Sequence, residues 1–141
     1  MIFWDTSALI KCYGAEIDHP RAVNLLTREK SHKGCALLRI ETISGLVRRS
    51  GLDSALRDSA LALAEEHLKT FDLVPIDGPL LEEGIRLARK HSLRAADALH
   101  LAAVVRLIRE IGRRTLHFAT ADGEQADAAA RERVKVIRLA L

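Results

Sequence analysis

Residues 93–105 read LRAADALHLAAVV, a stretch that is apolar almost throughout. The run is too long for a strand and is apolar on every side, which predicts a buried helix that ends near Ile111-Gly112. Asp97 lies inside this run, and a carboxylate in a buried helix is costly unless it is paired, hydrogen-bonded or bound to a cation. Either Asp97 caps a turn or pairs with Arg94 or His100 on the same helix face, or it points into a polar site where the helix meets a sheet.

Short apolar runs and amphipathic segments alternate on both sides of this helix. Strands are predicted at residues 1–4, 34–38, 71–76, 115–121 and 134–139. Helices are predicted between them, three of which have apolar stripes at helical spacing: Ile40, Ile43, Leu46 and Val47; Leu56, Leu61, Leu63, Ala64 and Leu68; Leu80, Leu81, Ile85, Leu87 and Ala88. This alternation predicts an α/β fold with a mainly parallel five-stranded sheet that is covered by helices on both faces.

The composition is typical of one globular domain, which we expect to span residues 1–141. The net charge is +3, which permits a nucleic-acid partner but does not require one. Cys12 and Cys35 are the only cysteines, which favours free thiols in a reducing cytoplasm over a zinc site. We expect neither a signal peptide nor a membrane span, because the first residues lack a basic start with a long apolar core and the longest apolar runs are broken by Asp or Arg.

Four acidic residues fall where helices and strands of this fold meet. Asp5 and Asp122 each follow a predicted strand, Glu41 opens the helix after the second strand, and Asp97 lies near the start of its helix. Active sites of parallel sheets lie beyond the carboxyl ends of the strands, so we expect these acids to converge at one edge. Taken singly, Asp5 also fits a helix N-cap and Glu41 fits complementation of a helix dipole.

A cluster of carboxylates is typical of a site for Mg²⁺ or Mn²⁺. Such an ion supplies a nucleophilic water and offsets phosphate charge, which suits hydrolysis of phosphodiester bonds. Other chemistries fit less well, because the chain lacks a phosphate-binding G-x-x-x-x-G-K-[ST] loop, a GxGxxG motif and a GxSxG motif. An aspartyl phosphatase would have an acid two residues after Asp5, where this chain has Ser7.

Four motifs together resemble those of PIN domains, and most closely the VapC-type toxins of bacterial toxin–antitoxin pairs. They are DTSAL at 5–9, Glu41 with LVRR at 46–49, AADALHLA at 95–102 and ATAD at 119–122. The resemblance covers essentially the whole chain and implies a Mg²⁺- or Mn²⁺-dependent endoribonuclease that forms homodimers and is inhibited by a small antitoxin. By this resemblance Asp5, Glu41, Asp97 and Asp122 are the catalytic, metal-binding acids, with Thr6, Ser7 and Thr120 as supporting hydroxyls.

Contacts with RNA should depend on charge more than on base stacking, because the chain has few aromatic residues. Candidates for phosphate contacts are Lys11, Arg39, Arg48, Arg49 and Arg94, although for each one taken singly a solvated helix face is the favoured interpretation. We expect Asp127 to be exposed and His100 to serve in packing or hydrogen bonding. A PIN module that binds RNA or a protein without strong catalysis is the alternative function.

Overall fold

A computed structural model describes residues 1–14, 16–49 and 51–141 of the chain. In these residues strands and helices alternate, as the sequence predicts. The strands are β1 (Ile2–Trp4), β2 (His32–Cys35), β3 (Asp72–Val74), β4 (His117–Thr120) and β5 (Lys135–Arg138). The α-helices are α1 (Thr6–Leu9), α2 (His19–Arg28), α3 (Leu37–Val47), α4 (Ser54–Leu68), α5 (Gly78–His91), α6 (Ala95–Ile111) and α7 (Gly123–Arg131), and a 3₁₀ turn at Ile10–Cys12 follows α1.

The five strands form one sheet in the order β3-β2-β1-β4-β5, and every neighbouring pair is parallel. Phe3 of β1 lies opposite Lys33 of β2 on one side and Phe118 of β4 on the other. The chain builds outward from β1 to β3 and then returns to place β4 beside β1. The order therefore reverses between β1 and β4, the position at which open parallel sheets form a crevice for ligands.

Helices cover both faces of the sheet, as predicted. Phe3 and Trp4 are adjacent in sequence and point to opposite faces, because side chains alternate along a strand. Trp4 lies in a core with the first four helices, whereas Phe3 packs with Phe118 and the apolar side of α6. Residues 101–104 of α6 have no exposed surface, which confirms the prediction of a buried helix.

The second strand begins and ends earlier in the sequence than predicted. It was predicted at 34–38, but β2 spans His32–Cys35, and Leu37 and Leu38 open α3. Pairing with β1 sets this boundary, since His32 lies opposite Ile2 and Gly34 opposite Trp4. The apolar Leu37 and Leu38 are buried or half-buried from a helix, which a short apolar run cannot distinguish from a strand.

Several predicted apolar stripes are wider than the surfaces that become buried. The side chains that lie exposed instead are Ile40, Val47, Leu56, Leu63, Leu81 and Ile85. The buried seam of α4 consists of Ala60, Ala64 and Leu68, four residues apart, which is a narrow line of contact. In α5 the buried seam includes Gly84, where a Cβ atom would lie 3.1 Å from Cδ2 of Leu99. The absence of a side chain at Gly84 lets α6 pack closely against α5, so the buried seam of α5 is narrow.

None of the helices in the described part of the chain combines the length and apolar character that crossing a membrane requires.

Candidate active site

Asp5 follows β1 directly and is buried, with 3% of its surface exposed. It is the N-cap of α1, because Oδ2 accepts a hydrogen bond from the backbone N–H of Ser7 at 3.2 Å. The same oxygen accepts from the hydroxyl of Ser7 and faces Thr120 Oγ1 at 3.1 Å. Oδ1 has no hydrogen bond to any described residue, and it lies 3.8 Å from Nε2 of His100. The capping interpretation of Asp5 is therefore confirmed, but it uses only one carboxylate oxygen.

Ser7, Thr120 and Gln125 form a polar network around Asp5. Ser7 Oγ accepts from the N–H of Ala121 at 2.9 Å, which joins α1 to the end of β4. The hydroxyl of Thr120 lies 2.9 Å from Gln125 Oε1, and Gln125 Nε2 donates to the backbone carbonyl of Asp97 at 3.2 Å. This network connects α1, β4, α6 and α7 at the carboxyl edge of the sheet.

Gln125 is a site residue that the sequence did not reveal. It has no exposed surface, although glutamine is rarely buried without partners. Its position three residues after Asp122, in an alanine-rich helix, was the available signal.

Glu41 reaches the site from the second turn of α3. Its Oε1 accepts hydrogen bonds from Thr6 Oγ1 at 2.9 Å and from His100 Nε2 at 2.5 Å. Burial works to raise the pKa of Glu41, but the hydrogen bond and charge of His100, with the bond from Thr6, outweigh it and lower that pKa. Oε2 has no hydrogen bond within the described residues.

Asp97 lies half-buried in the first turn of α6. Its carboxylate has no hydrogen bond and no ion pair among the residues that the structure describes, so pairing with Arg94 is not its role. Burial raises its pKa to about 6, and the charges of Asp5 and then Asp122 act in the same direction. Asp97 at the start of α6 is therefore near enough to Asp5 and Asp122 for their charges to act on it.

Asp122 is the N-cap of α7, where its Oδ1 accepts from the N–H of Gln125 at 2.9 Å. Its own N–H donates to Thr120 Oγ1 at 3.1 Å, which fixes the turn between β4 and the helix. Within the described chain its Oδ2 accepts no hydrogen bond. Asp127, one turn further along, is exposed as predicted and lies 3.5 Å from Arg138.

His100 lies one turn after Asp97 and is 1% exposed. Its Nε2 bonds Glu41, as the interpretation as a hydrogen-bonding residue predicts, and its Nδ1 has no partner in the described residues. Burial alone would lower the pKa of His100, but the bond to Glu41 and the charges of Asp5, Glu41 and Asp97 raise it. The contact between His100 and Glu41 links two helices and was not evident from the sequence.

The four acids share a feature that bears on cation binding. Each keeps at least one carboxylate oxygen without a hydrogen bond in the described part of the chain: Asp5 Oδ1, Glu41 Oε2, both oxygens of Asp97 and Asp122 Oδ2. Such oxygens fit a hard cation, and Mg²⁺ keeps several waters when few carboxylates bind it. Over residues 1–14, 16–49 and 51–141, however, no three acidic, histidine or cysteine side chains form a ready-made metal cage. The donor chemistry therefore fits Mg²⁺ or Mn²⁺ with water in the remaining positions.

A groove runs from Glu41 along α3, lined by Thr6, Ile40, Glu41, Ser44, Arg48 and Arg49. Arg49 pairs with Glu16 at 3.0 Å and Arg39 with Glu65 at 3.3 Å, whereas Arg48 and Arg94 are exposed and have no acidic partner in the described chain. Lys11 was wrong as a phosphate contact: it is 3% exposed, and its Nζ donates to the carbonyl of Ile17 at 3.0 Å.

Comparison with known proteins identifies one matching family. The model of the PIN domain matches residues 2–131. Among solved structures, the crystal structure of FitAcB from Neisseria gonorrhoeae is 21% identical with a TM-score of 0.67, and the alignment covers 97% of this chain and 96% of that one. The structure of FitAB bound to an IR36 DNA fragment is 20% identical with a TM-score of 0.67, covering 98% and 94%. No curated protein matches the sequence. At this identity the two solved structures show a shared fold.

Proposed function

The chain belongs to the PIN domain family, and from that premise we propose that it is a Mg²⁺- or Mn²⁺-dependent endoribonuclease, the toxin of a toxin–antitoxin pair. PIN domains are typically nucleases and usually use divalent metal ions. In this proposal Asp5, Glu41, Asp97 and Asp122 are the catalytic acids that bind the metal. Thr6, Ser7 and Thr120 are the supporting hydroxyls.

The observation that carries the proposal is the state of Asp97. Its carboxylate is half-buried and has no hydrogen bond or ion pair in the described residues. Burial first, and then the charges of Asp5 and Asp122, raise its pKa to about 6. A folded protein that keeps like charges this close loses stability unless a cation offsets them. A structural carboxylate would instead have a donor or a counter-ion, as Glu132 has in Arg86 and Lys90.

The four acids are held in different ways. Asp5 is fixed through Oδ2, and Glu41 is fixed through Oε1, so both present their remaining oxygens in set directions. Asp97 and Asp122 complete the set from α6 and the start of α7. A bound divalent ion would supply a nucleophilic water at neutral pH and offset the charge of the phosphate. Hydrolysis of the phosphodiester would join a water oxygen to phosphorus, break the bond to the leaving ribose oxygen and return a proton from the water to that oxygen.

The proposal that the protein is a toxin rests on its similarity to other proteins in sequence motifs and in fold. The VapC-type motifs and the similarity of fold to FitAB support a cytoplasmic toxin with a cognate antitoxin, and the chain is expected to form a homodimer. Exposed apolar residues on α3, α4 and α5, among them Ile40, Leu56 and Ile85, are consistent with surfaces that partners cover.

The test is induced expression of the protein in a bacterial host, with Asp97→Asn as control. We expect the wild type to slow growth and to generate new RNA ends, which sequencing of RNA after brief induction would map. We also expect single-stranded or looped RNA to be cut in preference to duplex. Harmless high-level expression of folded, active protein would argue for a housekeeping nuclease instead.

A PIN module that binds RNA or a protein without strong catalysis is the second candidate. The favouring observation is that Glu41 is already engaged by Thr6 and His100, and that no ready-made metal cage exists in the described residues. A titration with Mn²⁺, read by calorimetry, separates the two candidates, because only the nuclease requires binding at the acids.

A further inference from the structure

A basic surface lies at the edge of the sheet opposite to the acids. Residues 112–116 precede β4 and residues 132–134 precede β5, so both segments lie at the amino ends of parallel strands. Arg113 Nη1 donates to the carbonyls of Glu132 at 3.4 Å and Arg133 at 3.0 Å, and Lys135 Nζ donates to the carbonyl of Arg114 at 3.4 Å. These contacts bring together Arg113, Arg114, Arg133 and Lys135, here called the basic edge.

The basic edge has no counter-ion among the described residues. Glu132, the nearest acid along the chain, is already bound by Lys90 at 2.7 Å, Arg86 at 3.1 Å and His91 at 3.3 Å. Burial works to raise the pKa of Glu132, but the bonds from these three residues hold it at about 2. Glu132 therefore already has three partners outside the basic edge and does not serve as its counter-ion.

Several other cations in the structure are paired with acids. Arg39 pairs with Glu65, Arg106 with Asp77 and Arg109 with Glu83. At the basic edge, by contrast, guanidinium groups meet only backbone carbonyls or solvent, and Arg133 has a left-handed backbone at φ 61° that brings its carbonyl to Arg113. Positive charges gathered without an anion indicate a surface for an anionic partner.

Further positive charges lie next to the basic edge, both in space and along the sequence. A groove beside the basic edge is lined by Arg109, Ile111, Arg113, Arg114 and Thr115. Residues 86–141 contain twelve of the 22 Lys and Arg side chains but only six of the 19 acidic residues. The C-terminal part of the sequence, which contributes α6, β4 and β5, is thus strongly basic, although the whole chain has a net charge of only +3.

We propose that the basic edge binds the phosphodiester backbone of an RNA that also reaches the acids at the opposite edge. This inference rests on the proposed function and adds a requirement for substrate size. A domain of this length is roughly 35 Å across, so a short strand engages one edge only, whereas a folded RNA can contact both. The cations of the basic edge are separate from one another and have one exposed apolar neighbour, Ile111. Such a surface fits the spaced phosphates of a nucleic acid better than it fits an apolar protein segment.

The test compares Arg114→Gln/Arg133→Gln with Arg21→Gln/Lys69→Gln. Both double variants remove two exposed positive charges, but the first pair lies on the basic edge and the second pair lies elsewhere, beside Asp18 and Glu66. Arg113 is kept, so its bonds to the backbone survive. Binding is measured by fluorescence anisotropy in chelator, which prevents cleavage, over a range of salt concentrations. The probes are a stem-loop RNA of about thirty nucleotides and a single strand of about six.

We expect the edge variant alone to weaken binding of the stem-loop and to reduce the slope of log affinity against log salt by about 2, one for each lost phosphate contact. Binding of the short strand should change little. Equal slopes for the edge variant and the control variant would overturn the proposal. Poly-glutamate that binds as tightly as the stem-loop and is weakened equally would also overturn it, in favour of an acidic protein partner.

A metal-dependent cleavage assay on the short strand separates this inference from the proposed function. Cleavage of the short strand together with unchanged stem-loop slopes would leave the nuclease and reject the basic edge. Altered slopes in a chain that cuts no RNA would support the basic edge as an RNA-binding surface and reject the nuclease.

Discussion

His100 Nε2 bonds Glu41 Oε1 across 59 residues of sequence, and this contact joins α6 to α3 inside the candidate active site. The imidazole is 1% exposed and lies 3.8 Å from Asp5 Oδ1, so it separates two of the acids while it orients one of them. Partners that orient metal-binding carboxylates influence metal affinity, and their loss typically weakens it by about 10–100-fold. His100 therefore has the geometry of a positioning residue.

Substituting His100 tests this role. His100→Gln retains an N–H near the position of Nε2, whereas His100→Leu fills the cavity without a donor. We expect Leu to weaken Mn²⁺ binding by roughly 10–100-fold and Gln to restore much of the affinity. Calorimetry measures binding, and circular dichroism checks the fold. Unchanged Mn²⁺ affinity in a folded His100→Leu protein would reduce His100 to a packing residue.

Asp97→Asn should abolish RNA cleavage without unfolding the protein, because it keeps the shape of the side chain and removes its charge. Asp127→Asn is the matched control, since Asp127 is exposed on α7 and pairs with Arg138. Cleavage of labelled RNA is the measurement, with thermal melts to confirm folding. Wild-type cleavage rates in purified Asp97→Asn would remove Asp97 from the catalytic set.

Divalent metal should stabilise the wild type by mass action. If Mg²⁺ or Mn²⁺ binds only the folded acids, a metal concentration one hundred times Kd adds about 2.7 kcal/mol to the free energy of unfolding. We expect Tm to rise with metal, and to rise less in Asp97→Asn. The four-acid site would be wrong if millimolar metal left the wild-type Tm unchanged while Asp97→Asn was simply destabilised.

Without metal, stability should depend on pH through Asp97. Its pKa rises from 3.8 to about 6 on folding, so the folded state binds more protons than the unfolded state within that interval. The free energy of unfolding therefore falls as pH increases from 3.8 and the loss is complete above 6, amounting to about 1–2 kcal/mol after allowance for solvent screening.

Asp97→Asn has no titrating carboxyl at this position and therefore does not lose stability in this way. Comparing it with the wild type separates the contribution of Asp97 from the titration of Glu41 and His100. Relative to the wild type, the variant should gain stability between those pH values, as measured by urea denaturation in chelator. Parallel curves of stability against pH for the two proteins would contradict the raised pKa.

Thr120→Val should destabilise the protein by about 1–3 kcal/mol, because it removes the hydroxyl partner of the buried Gln125 and one of the two hydroxyl partners of Asp5. Thr42→Val is the control, since Thr42 Oγ1 is buried and has no partner among the described residues. That change should be neutral or stabilising. Urea denaturation compares the two, and an equal loss in both would mean that the network around Asp5 adds no stability.

The sequence by itself determined the features that depend on local pattern. The alternation of apolar runs and helical segments predicted the parallel sheet, and the continuous apolar character of residues 93–105 predicted the buried α6. Asp5 and Asp122 were identifiable because each follows a strand and begins a helix, and both are N-caps in the structure. The edge at which such residues gather follows from the direction of parallel strands.

Only the tertiary structure decided how the side chains of the site meet. The bonds of His100 to Glu41 and of Gln125 to Asp97 join residues 59 and 28 positions apart, and their geometry depends on how whole helices pack. Packing also decided that Ile40 and Leu56 are exposed and Lys11 is buried, since a helix buries only the line of residues that its neighbours touch. A pattern along one helix specifies its apolar side, but the width of the buried seam and the free oxygen of each carboxylate are properties of the assembled fold.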